Sequence, residues 1–509
     1  MSGGESGALR RASGPAGRRR TQSTITAYRR ERTTMQTAST IARLTLLAVG
    51  VAGALAAADA NAAAFQLKEN SAKGLGRAFA GSTSTEGDAS VIATNPASMR
   101  LLDGTLIQGD VSAISFGAKF RGQGQYGNGQ PISGGNGGDA GMIAPVPAAY
   151  FHLPFGEKEN MHFGASLTVP FGFKTEYDRD WVGRYNGVKT ELQAVDLGVA
   201  FSYDVNPYLS FGASVFAERL NVDLTSAVDT GTAINATAQR TAAARVLAAG
   251  GTAAQAAAAS QAAARQAAQL GFSPGTADGY LRIKGDEVSV GYTLGMTVTP
   301  VEGTNIAFSY RSKVEHKITD GKADFTIPQN AAAFLATAAP GTFIDSNGRA
   351  TITLPASATV GFTHRVNDQW QIMAEVTRTA WSKFDQVTVD YDSNQPDSVL
   401  PFHYRDTTFA SIGTDFRVND KLTLRGGLAY DQTPTTDAHR DVRVPDTTRK
   451  WLSLGLTYAA SDKMEYSVGY THLFTKDPNV TSTSATANTV TGKYKVSGDV
   501  LAASMQYKF

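Results

Sequence analysis

The chain contains no cysteine. Disulfide staples, thiolate metal sites and cysteine nucleophiles are excluded, and the lack fits an exported bacterial protein that avoids disulfide chemistry. Charge is also scarce: Asp, Glu, Lys and Arg make up 18% of 509 residues, where about a quarter is usual for a soluble protein. Neither sign dominates, with 47 basic against 45 acidic residues, so nothing argues for a nucleic-acid partner. The basic cluster Arg18, Arg19 and Arg20 reads as a solvated tail. Long apolar runs are missing as well. Mean hydropathy is −0.19, and the apolar run at residues 44–58 is too short to cross a bilayer as a helix.

What remains is rich in glycine and aromatics, with 51 Gly, 24 Phe and 18 Tyr. Low charge and many aromatics without long apolar runs suit a β-barrel whose two faces differ. The N-terminus divides into three parts. Residues 1–34 are Arg/Ser/Gly-rich, precede the internal Met35, and read as a start-site artefact or an unusually long leader region. Residues 35–62 carry Arg43, the apolar run and an Ala60-Asn61-Ala62 cleavage site, the pattern of a secretory signal ending before Ala63. Residues 63–103 are aperiodic and full of turn formers, which leaves a linker, a disordered arm or a functional plug open.

From residue 104 to 509 alternation dominates. Strands are expected at 104–120, 145–155, 161–173, 186–205, 208–226, 280–299, 304–318, 350–366, 369–391, 399–418, 421–433, 448–459, 463–474 and 493–509. Fourteen is an even number, as single-chain outer-membrane barrels require, and many of the segments are long enough to cross when tilted. Connections alternate between short Asn/Asp/Pro turns and long loops, notably 227–279 and 319–349. That asymmetry separates the periplasmic from the outer end of a barrel. In the last strand Leu501, Ala503, Met505, Tyr507 and Phe509 share one face and Ser504, Gln506 and Lys508 the other, lipid against lumen. By the same logic Arg311, Lys313, Glu315 and Lys317 are expected to line the interior, opposite Ile306, Phe308, Tyr310 and Val314. The cations Arg311, Lys313 and Lys317, with Arg219, are candidates for holding a carboxylate. Pro170, Phe171 and Gly172 interrupt the third strand, and a proline that cannot donate marks a bulge or gap there.

Two loops read as helical. Residues 238–270 are Ala/Gln/Arg-rich, broken at Gly250-Gly251. Residues 330–339 form a second helix whose Phe334 and Leu335 are expected on the surface, a sticky collection site for apolar ligands. Two motifs mislead. The G-x-G-x-x-G at residues 122–127 is not followed by a helix, and the G-x-S-x-G at 271–275 follows an Ala-rich helix and contains Pro274. The seven histidines show no metal-ligand spacing, and there is no catalytic constellation, so neither metal, cofactor nor enzymatic activity is expected.

Several stretches together resemble the FadL-type outer-membrane transporters of long-chain fatty acids and other hydrophobic compounds. They are AAFQL with SAKGLGRAFAG and Asn95-Pro96-Ala97, residues 170–203, 309–326, 425–434 with 444–458, and GYTHLF at 469–474. The resemblance implies an all-β, 14-stranded antiparallel transmembrane barrel in the Gram-negative outer membrane. It implies that residues 63–103 fold into the lumen as a hatch carrying Asn95, Pro96 and Ala97. Ligand would be captured between long outer loops and move to a pocket near the mature N-terminus around Phe65 and Leu67. It would leave sideways at the third-strand kink. Fatty acids are the expected cargo, with aromatic hydrocarbons as the alternative. An outer-membrane lipid-acting enzyme and a plain diffusion porin are disfavoured by the missing Ser/His pair and the blocked lumen. The expected partners are the surrounding lipid and lipopolysaccharide and the β-barrel assembly machinery, for which the terminal Phe509 resembles the recognition signal. The chain is expected to act as a monomer.

Overall fold

A computed structural model describes residues 65–509. The expectations for residues 1–34, the signal segment 35–62 and cleavage before Ala63 lie outside the described residues. Nineteen ladder segments form one antiparallel sheet that closes on itself. Four crossings are broken in two and one carries an outer extension, so the wall has fourteen strands. These are β1 (Leu106–Gln125), β2 (Ile143–Phe155), β3 (Met161–Glu176), β4 (Lys189–Asn206), β5 (Leu209–Asp229), β6 (Asp278–Val301) and β7 (Thr304–Arg311 with Val314–Thr326). There follow β8 (Ser346–Leu354 with Ser357–Arg365), β9 (Trp370–Thr379 with Gln386–Tyr391) and β10 (Ser398–Pro401 with Thr407–Asn419). The last four are β11 (Leu422–Asp431), β12 (Arg449–Ser461), β13 (Met464–Thr475, extended by Asn479–Thr483) and β14 (Thr489–Lys508). β1 closes the ring on β14 along its whole length, from Leu106↔Lys508 to Gln125↔Thr489. Closure pairs the first strand with the last and so leaves no edge strand, which a bilayer requires.

The period of two decides which side chains meet lipid. On β4 Leu197, Val199, Phe201 and Tyr203 point outward, while Asp196, Ala200 and Ser202 are buried inside. β12 repeats the pattern with Leu452, Leu454, Leu456 and Tyr458 outside and Ser453 and Thr457 inside. So large a continuous apolar exterior is stable only in contact with hydrocarbon.

β7 departs from the sequence expectation. Ile306, Phe308 and Tyr310 face outward as expected, but the strand breaks at Ser312-Lys313. Ser312 bridges the break: its N–H donates to Tyr292 O (2.9 Å) and its Oγ accepts from the Tyr292 N–H (3.0 Å). The irregularity shifts the alternation by one residue. Val314, His316 and Ile318 turn inward, and Lys313, Glu315 and Lys317 turn outward. Only Arg311 of that charged set stays inside. A one-residue slip exchanges the two faces completely.

The N-terminal segment carries two short helices, α1 (Ala72–Gly76) and α2 (Val91–Thr94). Outside the wall, α3 (Thr230–Ala248) and α4 (Ala253–Gln269) form a helical hairpin, broken at Gly250, whose φ is +79°. Thr252 and Gln255 close a capping box at the start of α4. α5 (Gln329–Ala338) packs against this hairpin. Leu335 is buried there with Ile234, Ala267 and Phe272, and Phe334 is half-buried with its ring 5.6 Å from that of Phe272. The expectation of an exposed Phe334-Leu335 pair is therefore corrected. The Ala-rich hairpin, which carries no strong apolar face of its own, supplies the surface that covers them.

Candidate functional site

The segment after Phe65 is buried almost throughout, inside the barrel. Ser71 caps α1 (Ala72–Gly76) by accepting from the Gly74 N–H. Its hydroxyl donates to Asp88 (2.7 Å), tying the two halves of the segment together. Arg77 bridges Asp88 (3.3 Å) and Asp415 of β10 (3.1 Å), and Arg425 of β11 shares Asp415 (3.2 Å). Lys73 pairs with Glu465 of β13 and donates to Gln506 of β14 (3.0 Å). The fit is close enough to demand wall glycines. A Cβ on Gly427 would lie 2.2 Å from the Arg77 carbonyl carbon, and one on Gly295 would lie 1.9 Å from Asn95 Oδ1.

Asn95 caps a 3-10 turn (Pro96–Leu101) through its contact with the Ala97 N–H (3.2 Å). Its amide donates to Thr83 O (3.0 Å), Ser98 Oγ (3.0 Å) and Thr297 Oγ1 of β6 (3.2 Å). Ser210 Oγ at the foot of β5 donates to Ala97 O (2.7 Å). Asn95, Pro96 and Ala97 thus tie the segment to the periplasmic half of β5 and β6, away from Phe65.

At the other end, the chain repairs the wall. β2 pairs with β3 only from Ala149↔Leu167 to Phe155↔Met161. Above that, β3 is irregular between Thr168 and Phe171, where Pro170 has no N–H to give. The edge that β2 leaves is taken by the N-terminal segment. Leu67 N–H donates to Pro170 O (2.8 Å), Gly172 N–H donates to Phe65 O (2.8 Å), and Gln66 bridges Phe171. Pro170, Phe171 and Gly172 therefore sit where the barrel's own ladder is interrupted.

Phe65 projects from this patch into an aromatic cluster. Its ring lies 4.7 Å from Trp381, 5.0 Å from Phe384, 6.2 Å from Phe171 and 6.5 Å from Tyr404. Tilted and edge-on rings at these distances attract one another beyond their buried area. The cluster continues outward through Leu192, Leu220, Ile318, Ile352 and Val387. The last three also line an apolar pocket with Val222, Ile283 and Val389, in the outer half of the barrel. Leu67 belongs to a second cluster, with Phe79, Val169, Phe409 and Trp451. An apolar strip thus runs from the outer vestibule to the interrupted edge of β3.

Beside Leu67 lies a cavity of about 120 Å³, lined by Phe79, Val169 and Pro170 and by Lys68, Arg311 and Glu375. Its charges are not equivalent. Glu375 accepts from Ser82 Oγ (2.7 Å) and the Thr83 N–H (3.1 Å). Arg311 is spent on two carboxylates, Asp196 and Glu218, both at 2.7 Å, and His316 holds the other oxygen of Glu218 (3.0 Å). Lys68 has no ion-pair partner among the described residues; its ammonium lies 4.1 Å from the centre of the Phe409 ring. The other three cations singled out from sequence are elsewhere. Arg219 is outward on β5, 61% exposed and paired with Asp286 (3.1 Å). Lys313 and Lys317 are outward on β7, 59% and 71% exposed, both beside Glu315. Their expected interior placement is corrected by the break at Ser312.

Sequence reading missed Lys68, Asp196, Glu218, Trp381, Phe384 and Tyr404. One signal was available: Trp381-Ser382-Lys383-Phe384 spoils the alternation in the middle of residues 369–391. Those residues form a 3-10 turn that drops Trp381 into the lumen.

Glu69 supplies a pH handle on this segment. Burial pushes its carboxyl up to about 7 from an ordinary 4.5, against the pull of backbone N–H groups and Arg449. Between those values the folded state holds a proton that the unfolded chain has released, so stability falls as pH rises through the window. Glu69→Gln is therefore expected to raise the unfolding temperature at pH 8 and leave it nearly unchanged at pH 4. Gel-shift melting at the two pH values measures this, and an equal change at both would reject the assignment.

Residues 53–509 match the family model described as "Outer membrane protein transport protein (OMPP1/FadL/TodX)". Outer membrane protein P1 of Haemophilus influenzae is 29% identical over 440 residues, covering 82% of this chain and 87% of the relative. The long-chain fatty acid transport protein of Escherichia coli K12 is 28% identical over 455 residues, covering 84% and 91%. Among solved structures, a Pseudomonas aeruginosa FadL homologue superposes with a TM-score of 0.76 at 25% identity, covering 87% of this chain and 99% of that one. The Pseudomonas putida toluene transporter TodX gives a TM-score of 0.57 at 18% identity, covering 88% and 100%, which shows the shared fold. With the closed fourteen-strand wall, these matches place the protein in the Gram-negative outer membrane. The chain belongs to the OMPP1/FadL/TodX family, outer-membrane transporters of hydrophobic compounds.

Proposed function

We propose that this protein takes up long-chain fatty acids passively. The observation that carries the reading is the apolar strip from the outer vestibule to the edge of β3, with Lys68 beside its inner end. The acyl chain enters past the helical lobe and follows Val387, Ile352 and Ile318 to the rings around Phe65. Lys68 receives the carboxylate. Asn95, Pro96 and Ala97 hold the hatch in place while the short pairing of Phe65 and Leu67 with β3 loosens. The cargo then leaves sideways between β2 and β3. Lateral release is favoured energetically: each CH₂ kept out of water is worth about 0.8 kcal/mol, which release into the periplasm would forfeit.

Aromatic hydrocarbons are the second reading. Two observations favour it: Arg311, the guanidinium lining the cavity, is already neutralised, and a cavity of about 120 Å³ is near the ~150 Å³ that accommodates benzene in an engineered site. The E. coli relative is named for fatty acids and the TodX structure for toluene.

The test is uptake into liposomes loaded with a fatty-acid trap. Oleate is expected to enter while small sugars stay out, and Phe65→Ala is expected to weaken oleate binding without altering heat-modifiable migration of the barrel. Free passage of sugars with neither binding nor transport of oleate would sink the proposal.

A further inference from the structure

Outer-rim cations around much of the wall are neutralised locally. Arg219 pairs with Asp286 (3.1 Å), Arg349 with Asp390 (3.1 Å), Arg378 with Asp406 (3.8 Å) and Lys317 with Glu315 (3.3 Å). Arg121 on β1 and Lys493 and Lys495 on β14 are exposed without an ion-pair partner among the described residues, and so are three cations on the side formed by β10 to β13. The latter are Arg405, Lys450 and Lys476. All three line one groove of about 700 Å³ at the outer end of these strands.

The register fixes the height of this groove. Tyr430, Lys450 and Phe474 form a single cross-strand row on β11, β12 and β13, all pointing outward. The row below holds Leu428 and Leu452, and Leu454 lies below that, all exposed on the lipid side. Lys450 therefore sits between two aromatics at the top of the hydrocarbon band, the position of an interfacial girdle. Arg405 stands in the break of β10 and Lys476 between β13 and its outer extension, both on the side opposite the short turns. Thr447 and Thr448 line the groove between them. Arg440 stiffens the back, bonded to Asp437, to Asp446 O (2.8 Å) and to Asn479 O (2.6 Å). Asp437 is thereby occupied, and Asp477 is the remaining carboxylate on the rim.

We propose that this groove binds lipopolysaccharide of the outer leaflet. Its phosphate meets Arg405, Lys450 and Lys476, its sugar rests against Tyr430 and Phe474, and its acyl chains run down over Leu428, Leu452 and Leu454. Cations directly above an aromatic girdle, with apolar wall beneath, match a phosphorylated amphiphile in charge and in depth. Each guanidinium or ammonium makes charge-assisted hydrogen bonds to phosphate oxygens. The site lies on the outer surface and does not depend on the cargo of the lumen.

Full-length protein stripped of lipopolysaccharide and placed in nanodiscs can be titrated with bisphosphorylated lipid A, reading bound lipid by native mass spectrometry. The triple variant R405Q/K450Q/K476Q is expected to bind on the order of tenfold more weakly or worse, as loss of charged hydrogen bonds implies. Dephosphorylated lipid A should bind the unaltered protein with a similar deficit. The single variant K476Q should fall between, and the control R219Q/R378Q on other strands should bind normally. Heat-modifiable migration verifies folding of each. Unchanged affinity in the triple variant, equal loss in the control, or displacement of lipid A by an equal concentration of inorganic phosphate would each overturn the proposal.

Discussion

Deleting residues 65–90 is expected to turn a tight, selective barrel into a leaking pore. Eight-stranded barrels are filled by wall side chains, whereas barrels of sixteen or more leave an aqueous channel. Fourteen strands fall between, and here the inner wall carries glycines where the segment passes closest. Gly295, Gly427, Gly455 and Gly469 would each collide with the segment if they carried a Cβ, so at these points the wall has no side chain to fill the space it leaves. The deletion also strips Asp415 of Arg77 and Glu465 of Lys73, leaving carboxylates that draw water in. Finally it removes Phe65 and Leu67 from the edge of β3, exposing unpaired backbone where β2 has already left. Swelling of liposomes in a small sugar should rise from background to an open-pore rate, while trapped oleate uptake should lose its dependence on binding. A deleted barrel that stays tight to sugars would show that the loops, not this segment, close the lumen.

The wall was legible in the sequence because a barrel writes its two faces into every second residue. All fourteen crossings were found by alternation, and β14 has the faces read from Leu501, Ala503, Met505 and Tyr507. The failures share one cause. Alternation has no memory across a break, so Ser312 reversed the faces of Lys313, Glu315 and Lys317, and Trp381 vanished inside a strand drawn without its break. The interior of β4 and β5 was harder still. Asp196 and Glu218 are ordinary inward positions on regular strands, and nothing local marks them as partners of Arg311, roughly a hundred residues away. The aperiodic segment carried no pattern at all. Its place followed from the family resemblance, and its ties to β10, β13 and β14 are long-range contacts that a single sequence does not encode visibly.

The sharpest separation of the two cargo readings comes from Lys68→Met. Among the described residues Lys68 is the cavity cation without an ion-pair partner, since Arg311 is held by Asp196 and Glu218. A hydrogen bond to a charged group is worth about 1.5–3 kcal/mol, so a carboxylate resting on Lys68 should lose roughly tenfold to a hundredfold in affinity. Methionine keeps the length and apolar stem of the side chain, and its thioether packs well against a ring such as Phe409, so the barrel should fold as before. Toluene has no charge to lose, and its binding should stay level or improve. Titration of both ligands into the two proteins, with oleyl alcohol as an uncharged analogue of the fatty acid, reads the difference directly. A selective loss of oleate would tie the headgroup to Lys68. Equal affinities for oleate before and after would remove Lys68 from the path and leave the neutralised lumen better suited to uncharged cargo.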